Sequence, residues 1–399
     1  MTRLANEDIE AAREAAARRE WAAAYDGFRR VDEAALGAED LAALADAAWW
    51  MGEQDASLAA RTRAYTAFAA AGDEPGAGFQ AGLLAIEHFQ RAEPAVGAGW
   101  LQRARRHVEG LEERPEHGFL AGLEATVARY GGDLERAMKL ATTAAEIGRR
   151  TGDADVWILG LHTQGLVHLA AGRIEAGLPL LDEAMTSVVA GQLSDFFTGV
   201  VYCNVVDACL QIADVARAGQ WSDAARAWCE SIPEESPYPG LCRVNRAQVA
   251  DLRGAWSEAH AEAERASREL LRFDPYSAGL AHYEAGEIRR RLGDIAGAEE
   301  AFRRARELGF DPEPGHALLR LAEGKATGAL SSLRLAAQDE GLSPLRRARV
   351  LAATVEAAIA TGDPETARSV SAELDALAEG HGTPALSAVA LATAGRVAL

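Results

Sequence analysis

The chain has 399 residues, 49% of them hydrophobic, and sets 41 basic against 60 acidic side chains for a formal charge of −19. That balance argues against nucleic-acid binding, because phosphate contacts need a basic face, and no apolar run reaches the length that crosses a bilayer. The N-terminus lacks the basic, then apolar, then small-residue order of a secretory leader, so the expectation is a cytoplasmic protein.

Taken in chain order, Asn6-Glu7-Asp8-Ile9-Glu10 reads as a helix cap with an acidic first turn. A recurring spacing then begins. A turn at Arg19 places Trp21, Ala24 and Phe28 two, five and nine residues on, and a turn at Gly52 is followed by Ser57 and Ala64 and preceded by Ala45. A turn at Ala92, its glycine lost, carries Gly97, Leu101 and Ala104, with Ala85 upstream. The frame continues at Gly132, Gly172, Gly219, Gly254, Gly293, Gly324 and Gly362. It is most complete at Gly293, with Ile295, Ala298, Phe302 and Ala305 after the turn and Gly286 seven residues before it. About ten copies follow one another at a period near 40.

Positions five, nine and twelve after a turn share one face of a helix. Small residues at five and at minus seven let two helices approach closely, and the bulky residue at nine fills the space between them. Each copy is then a helical hairpin that buries its apolar face only by stacking on its neighbours. This pattern resembles the tetratricopeptide repeat, most closely at Gly286, Ala298, Phe302, Ala305 and the Asp311-Pro312 stop. The resemblance implies an all-α fold, a right-handed superhelical solenoid of about ten hairpins over residues 1–399. The period exceeds the usual length of about 34 residues, which predicts longer helices or larger loops.

Several stretches carry candidate binding residues. Trp49 and Trp50 are adjacent on a helix and cannot both face one core, so Trp50 is a candidate to line a groove. His88 reads as a satisfied, partly buried histidine. His162 and His168 are six apart, which does not put them on one face for a metal. The interval from Gly172 to Gly219 is the longest, 47 residues, and its stretch from Asp195 to Asp207 mixes aromatic and polar side chains: Phe197 lies near the start, and Asn204 and Asp207 share a face of an otherwise apolar helix. Such polar groups need partners, either in neighbouring helices or in a bound molecule. The next two first helices add Arg243, Asn245 and Arg246, then His282, Tyr283 and Glu287.

Cys203, Cys209, Cys229 and Cys242 form no CxxC pair and read as buried small apolar residues, with a redox sensor as the alternative. The proline-rich segment 231–240 reads as an inter-repeat loop, or else as a boundary between lobes 1–230 and 240–399. At the far end Leu386 to Leu399 is apolar without the second helix of its hairpin, which leads to the expectation of a fragment of a longer array, or of a homodimer formed through that face.

No phosphate loop, HExxH, GxSxG or usable Cys/His pairing is present, so neither an enzyme nor a metal or cofactor is expected. The helix Leu41 to Trp50, with Gly240-Leu241-Cys242-Arg243-Val244 and Gly286-Glu287-Ile288-Arg289-Arg290, resembles the helical repeat region of actinobacterial LuxR-type transcriptional regulators. That resemblance implies a sensor or interaction region that holds a peptide, protein or small-molecule effector in a concave groove. The basic recognition helix of those regulators has no counterpart after Pro384, so DNA contact does not carry over. A stand-alone adaptor linking proteins is the first alternative, and a small-molecule-binding protein or enzyme using the groove near residues 195–290 the second.

Overall fold

The computed structural model describes residues 3–399, and among them are twenty-one α-helices and no strand. Two compact units make up the chain, one of residues 1–201 and 230–237, the other of 202–229 and 238–399. The first unit holds α1 (Arg3–Ala17), α2 (Trp21–Arg30), α3 (Ala38–Trp50), α4 (Gln54–Ala70), α5 (Glu74–Gln90), α6 (Pro94–Val108), α7 (Pro115–Tyr130), α8 (Leu134–Thr151), α9 (Ala154–Ala170), α10 (Ile174–Val189) and the start of α11 (Asp195–Gln211). The second holds the rest of α11, most of α12 (Val215–Ser231), α13 (Pro237–Leu252), α14 (Trp256–Glu269), α15 (Pro275–Arg291), α16 (Ile295–Glu307), α17 (Gly315–Ala322), α18 (Ala326–Ala336), α19 (Pro344–Ala360), α20 (Pro364–His381) and α21 (Pro384–Ala398). The helices pair in order as hairpins, in the manner of a tetratricopeptide-like α-solenoid.

The hairpin of α15 and α16 shows why the spacing works. Gly293 turns the chain in a left-handed conformation (φ 84°), and the Asp294 carboxylate accepts the Gly297 N–H to cap α16. Ala298, Phe302 and Ala305 are buried, and the Phe302 ring lies over Gly286 so closely that a Cβ there would sit 2.6 Å from it. Leu181 covers Gly165 at the same distance in the hairpin of α9 and α10. Helices of 17 and 16 residues, joined by the short turn 171–173, account for the long period of this hairpin through helix length rather than loop size.

Arg19 and Ala92 take positive φ (61° and 57°) at the turns read without a glycine. Gly219 does not: it lies inside α12, and the left-handed residue is Ala213 (φ 61°). Counted from Ala213, buried Ala218, Ser222 and Ala225 fall at five, nine and twelve, and the intervals from Gly172 to Ala213 and from Ala213 to Gly254 are both 41. The long interval therefore disappears. A serine at the bulky position, together with the missing glycine, hid the true frame.

Two other expectations shift. Asn6 lies inside α1, which begins at Arg3. The proline-rich segment is a loop only to Ser236: α13 starts at Pro237, where a missing N–H costs nothing in the first turn of a helix. The last helix, α21, packs on α19 and α20 through Leu386 and Ala390, with Leu391 exposed. Among the described residues no helix is long and apolar enough to cross a membrane.

Candidate functional site

The first unit holds a cavity of about 320 Å³, partly open to solvent, whose wall is built from rings. Trp21 opens α2, Trp49 and Trp50 close α3, and Phe196 and Phe197 lie in the first turn of α11. Successive residues on a helix diverge by about 100°, so Trp49 and Trp50 reach different partners. Trp50 stacks on Trp21 (centroids 5.5 Å apart, planes at 9°), and Trp49 meets Phe196 edge to face at 5.5 Å. Trp49 and Trp50 also touch each other, 5.1 Å apart. Phe197 extends the row to Phe119 at 6.2 Å, and Phe119 to Phe79 at 5.0 Å. Contacts of this kind are worth about 0.5–1.5 kcal/mol each beyond the area they bury. Leu83 and Ile86 of α5 complete the apolar lining.

Charged groups line the same cavity. Arg61 stands nine residues after Gly52, at the position filled elsewhere by Phe28, Leu101, Leu181 or Phe302, and its side chain is buried. Its Nε donates to Glu87 (2.5 Å), one Nη to Asp46 (2.9 Å) and the other to Gln80 (3.1 Å), while the Ser57 hydroxyl also donates to Glu87 (3.1 Å). Burial works against the guanidinium charge, but the carboxylates of Asp46 and Glu87 outweigh it and raise its pKa. Arg19 pairs with Asp195 at 2.7 Å, joining the α1–α2 turn to the start of α11. Asp155, at the start of α9, accepts the Ser194 N–H at 2.9 Å; burial pushes its carboxyl pKa up, and that hydrogen bond only partly opposes the shift.

The structure brings together two of the residues read as candidates from the sequence, Trp50 and Phe197. Both indoles of the Trp49-Trp50 pair line the cavity while remaining buried (7% and 4% exposed), so the expected division into one core and one groove ring does not occur. The other candidates belong to the second unit. Asn204 is half-buried on α11, and Asp207 accepts from Gln211 one turn along. Arg243 pairs with Glu269 (2.9 Å) and Glu262 (3.3 Å), Arg246 with Glu262 (2.7 Å), and Asn245 donates to the Cys203 carbonyl (3.3 Å). His282 is half-buried, and burial lowers its pKa.

Tyr283 and Glu287 lie in a different arrangement, a buried charge network of α13, α15 and α19. Glu287 pairs with Arg290 and Arg291 at 3.0 Å each, and Asp251 pairs with Arg291 and, at 3.5 Å, with Arg349. Burial raises the pKa of neighbouring Glu284 to about 7, against the opposing pull of Arg349. Cys229 and Cys242, read as separate apolar residues, are joined in a disulfide between α12 and α13. His88 is satisfied by Glu93 at 2.6 Å.

Sequence reasoning missed Trp21 as a ring of the site, together with Arg61 and Asp155, and covered Phe196 only as part of the stretch from Asp195 to Asp207. Arg61 had a signal: a guanidinium at the one repeat position reserved for a space-filling apolar residue. Asp155 had none, since its role depends on which helices meet.

No family model matches the chain, and no curated protein matches it. Among solved structures, a Rap protein complexed with competence and sporulation factor is 12% identical with a TM-score of 0.58, covering 86% of this chain and 99% of that one. Yeast Tom70 is 12% identical over 99% of this chain and 95% of its own, with a TM-score of 0.41. A signal transduction ATPase with a tetratricopeptide repeat sensor from Pyrococcus horikoshii is 15% identical over 89% of this chain and 68% of its own, with a TM-score of 0.39. The likeness to the Rap protein is one of fold: this chain is similar to it as a stack of helical hairpins running over nearly that protein's whole length.

Proposed function

We propose that the protein is a binding module, a helical-repeat scaffold whose first-unit cavity takes up a small-molecule or peptide effector. In this reading it serves as the cytoplasmic sensor region of a transcriptional regulator and does not itself contact DNA. One observation carries the proposal: a cavity of about 320 Å³ in which six aromatic side chains are set beside charged groups. Binding sites combine an apolar concave wall with a few placed polar groups in this way. The Rap protein, similar in fold, was solved with competence and sporulation factor, which supports effector binding by such a scaffold.

The test is thermal unfolding of the purified protein against a library of metabolites and short peptides. A ligand at a hundred times its dissociation constant should stabilise the fold by about 2.7 kcal/mol. The expected result is a set of related compounds that raise Tm in the native protein and fail to do so in Phe196→Ala and Trp21→Ala variants. Both of those residues line the cavity while remaining partly exposed. A library without a single hit, or hits indifferent to both substitutions, would favour an adaptor that works through its outer surface.

A further inference from the structure

Charge inside the cavity is not balanced. Four carboxylates line it, Asp46, Glu87, Asp155 and Asp195, against two guanidiniums, Arg19 and Arg61. Both guanidiniums are committed within the protein: Arg61 to Glu87 and Asp46, and Arg19 to Asp195. Asp155 is placed differently. Among the described residues no guanidinium forms an ion pair with it: its Oδ1 accepts the main-chain N–H of Ser194 at 2.9 Å, the Ser194 hydroxyl adds a further hydrogen bond, and Arg19 acts on it only at longer range.

An occupant must answer both features of this space. A neutral apolar body would cover the Asp155 carboxylate and strip its remaining water, leaving only Ser194 to answer the charge. An anion would meet a formal excess of two negative charges. A cation satisfies the carboxylate and at the same time meets the electron-rich faces of the rings, an attraction that grows as water is excluded. Volume sets the scale: about 320 Å³ is the liquid volume of roughly ten water molecules. That is a size that suits an arylalkyl amine.

We propose that the cavity takes a small organic cation, an ammonium or guanidinium on an aryl or alkyl body, seated among Trp21, Trp50 and Phe196 with the Asp155 carboxylate as its counter-charge. The assignment deepens the effector-binding reading and rests on it. The body of the ligand lies along the ring row while the cationic head turns towards α9. Specificity comes from the pairing of the two, since the rings alone would accept any flat apolar molecule.

The experiment uses the full chain and matched probe series read by ligand-observed NMR and calorimetry: arylalkyl amines and guanidines, the neutral alcohols of the same skeletons, and the corresponding carboxylates. A hexapeptide with a single central lysine and blocked ends is the further arm. The expected result is binding of the amines or guanidines at least tenfold tighter than of their neutral counterparts. Asp155→Asn should erase that preference while leaving the weaker binding of the alcohols within about twofold, because an amide oxygen still accepts the Ser194 N–H. Phe196→Leu should weaken every series together, as loss of a ring face affects body and head alike. Equal binding of amines and alcohols, or a preference for carboxylates, would overturn the cation assignment and leave effector binding standing. Tighter binding of the lysine peptide than of any free amine would overturn the assignment to a small molecule. A failure of every probe, together with a library that yields no compound stabilising the native protein, would overturn the cation and the effector reading alike.

Discussion

At Gly286 a single hydrogen decides whether two helices can meet. A methyl group there would lie within 2.6 Å of the Phe302 ring, which is itself buried on all sides. Gly286→Ala should therefore lower the denaturant midpoint by the equivalent of about 1–3 kcal/mol. Gly328→Ala, on the exposed side of α18 with open space around it, should leave it unchanged or raise it by about 0.5–1 kcal/mol. Both are read from urea titrations. His162 poses a different problem. It is buried in α9, both of its ring nitrogens lack a hydrogen-bond partner, and burial, with a smaller push from Arg129, lowers its pKa from 6.5 to about 3. The unfolded imidazole takes up a proton near 6.5 and the folded one only near 3. The stability present above pH 6.5 is therefore lost as the pH falls through that interval. His162→Phe should flatten the decline of Tm between those limits, and at pH 8 it should be neutral or stabilising, since it removes two unsatisfied polar atoms.

Among elements, the contacts of α3, α4 and α5 turn on one ion pair. Arg61→Met would leave Glu87 buried without its guanidinium, a loss of about 3–5 kcal/mol, whereas Arg61→Met with Glu87→Met removes both charges and should recover most of that stability. A double-mutant cycle measured by chemical denaturation decides the point; equal destabilisation of the single and double variants would show that the pair matters through shape alone. The same helices show what spacing can and cannot report. The frame at Gly293 is legible because every position is filled as a hairpin requires, and it survives the loss of glycine at Arg19 and Ala92 because the helix offsets remain. It fails at Ala213, where Ser222 stands in the bulky slot. The site was legible only in fragments. Trp50 and Phe197 stand out singly, but their cavity draws on α2, α3, α4, α5, α9 and α11, and a repeat frame encodes contacts within a hairpin and with its neighbours, not those across several hairpins.

For the whole molecule, each of the two compact units carries its own buried cores, so heating should not produce a single all-or-none transition. The expected calorimetric trace has a total enthalpy larger than its van't Hoff value, and an effector of the first-unit cavity should move only part of it. A sharp transition whose two enthalpies agree, displaced intact by ligand, would show that the units melt as one.

The salt bridge from Arg19 to Asp195 joins residues 176 positions apart, whereas the hairpins on either side of it close over a few tens of residues. Local hairpins zip early in folding, and a tie of that span waits until the intervening chain has been arranged. The cavity that both residues line should therefore be among the last features to assemble. A molecule lodged there would do little to hasten refolding. Its effect would be to lengthen the lifetime of the folded state through a slower unfolding rate.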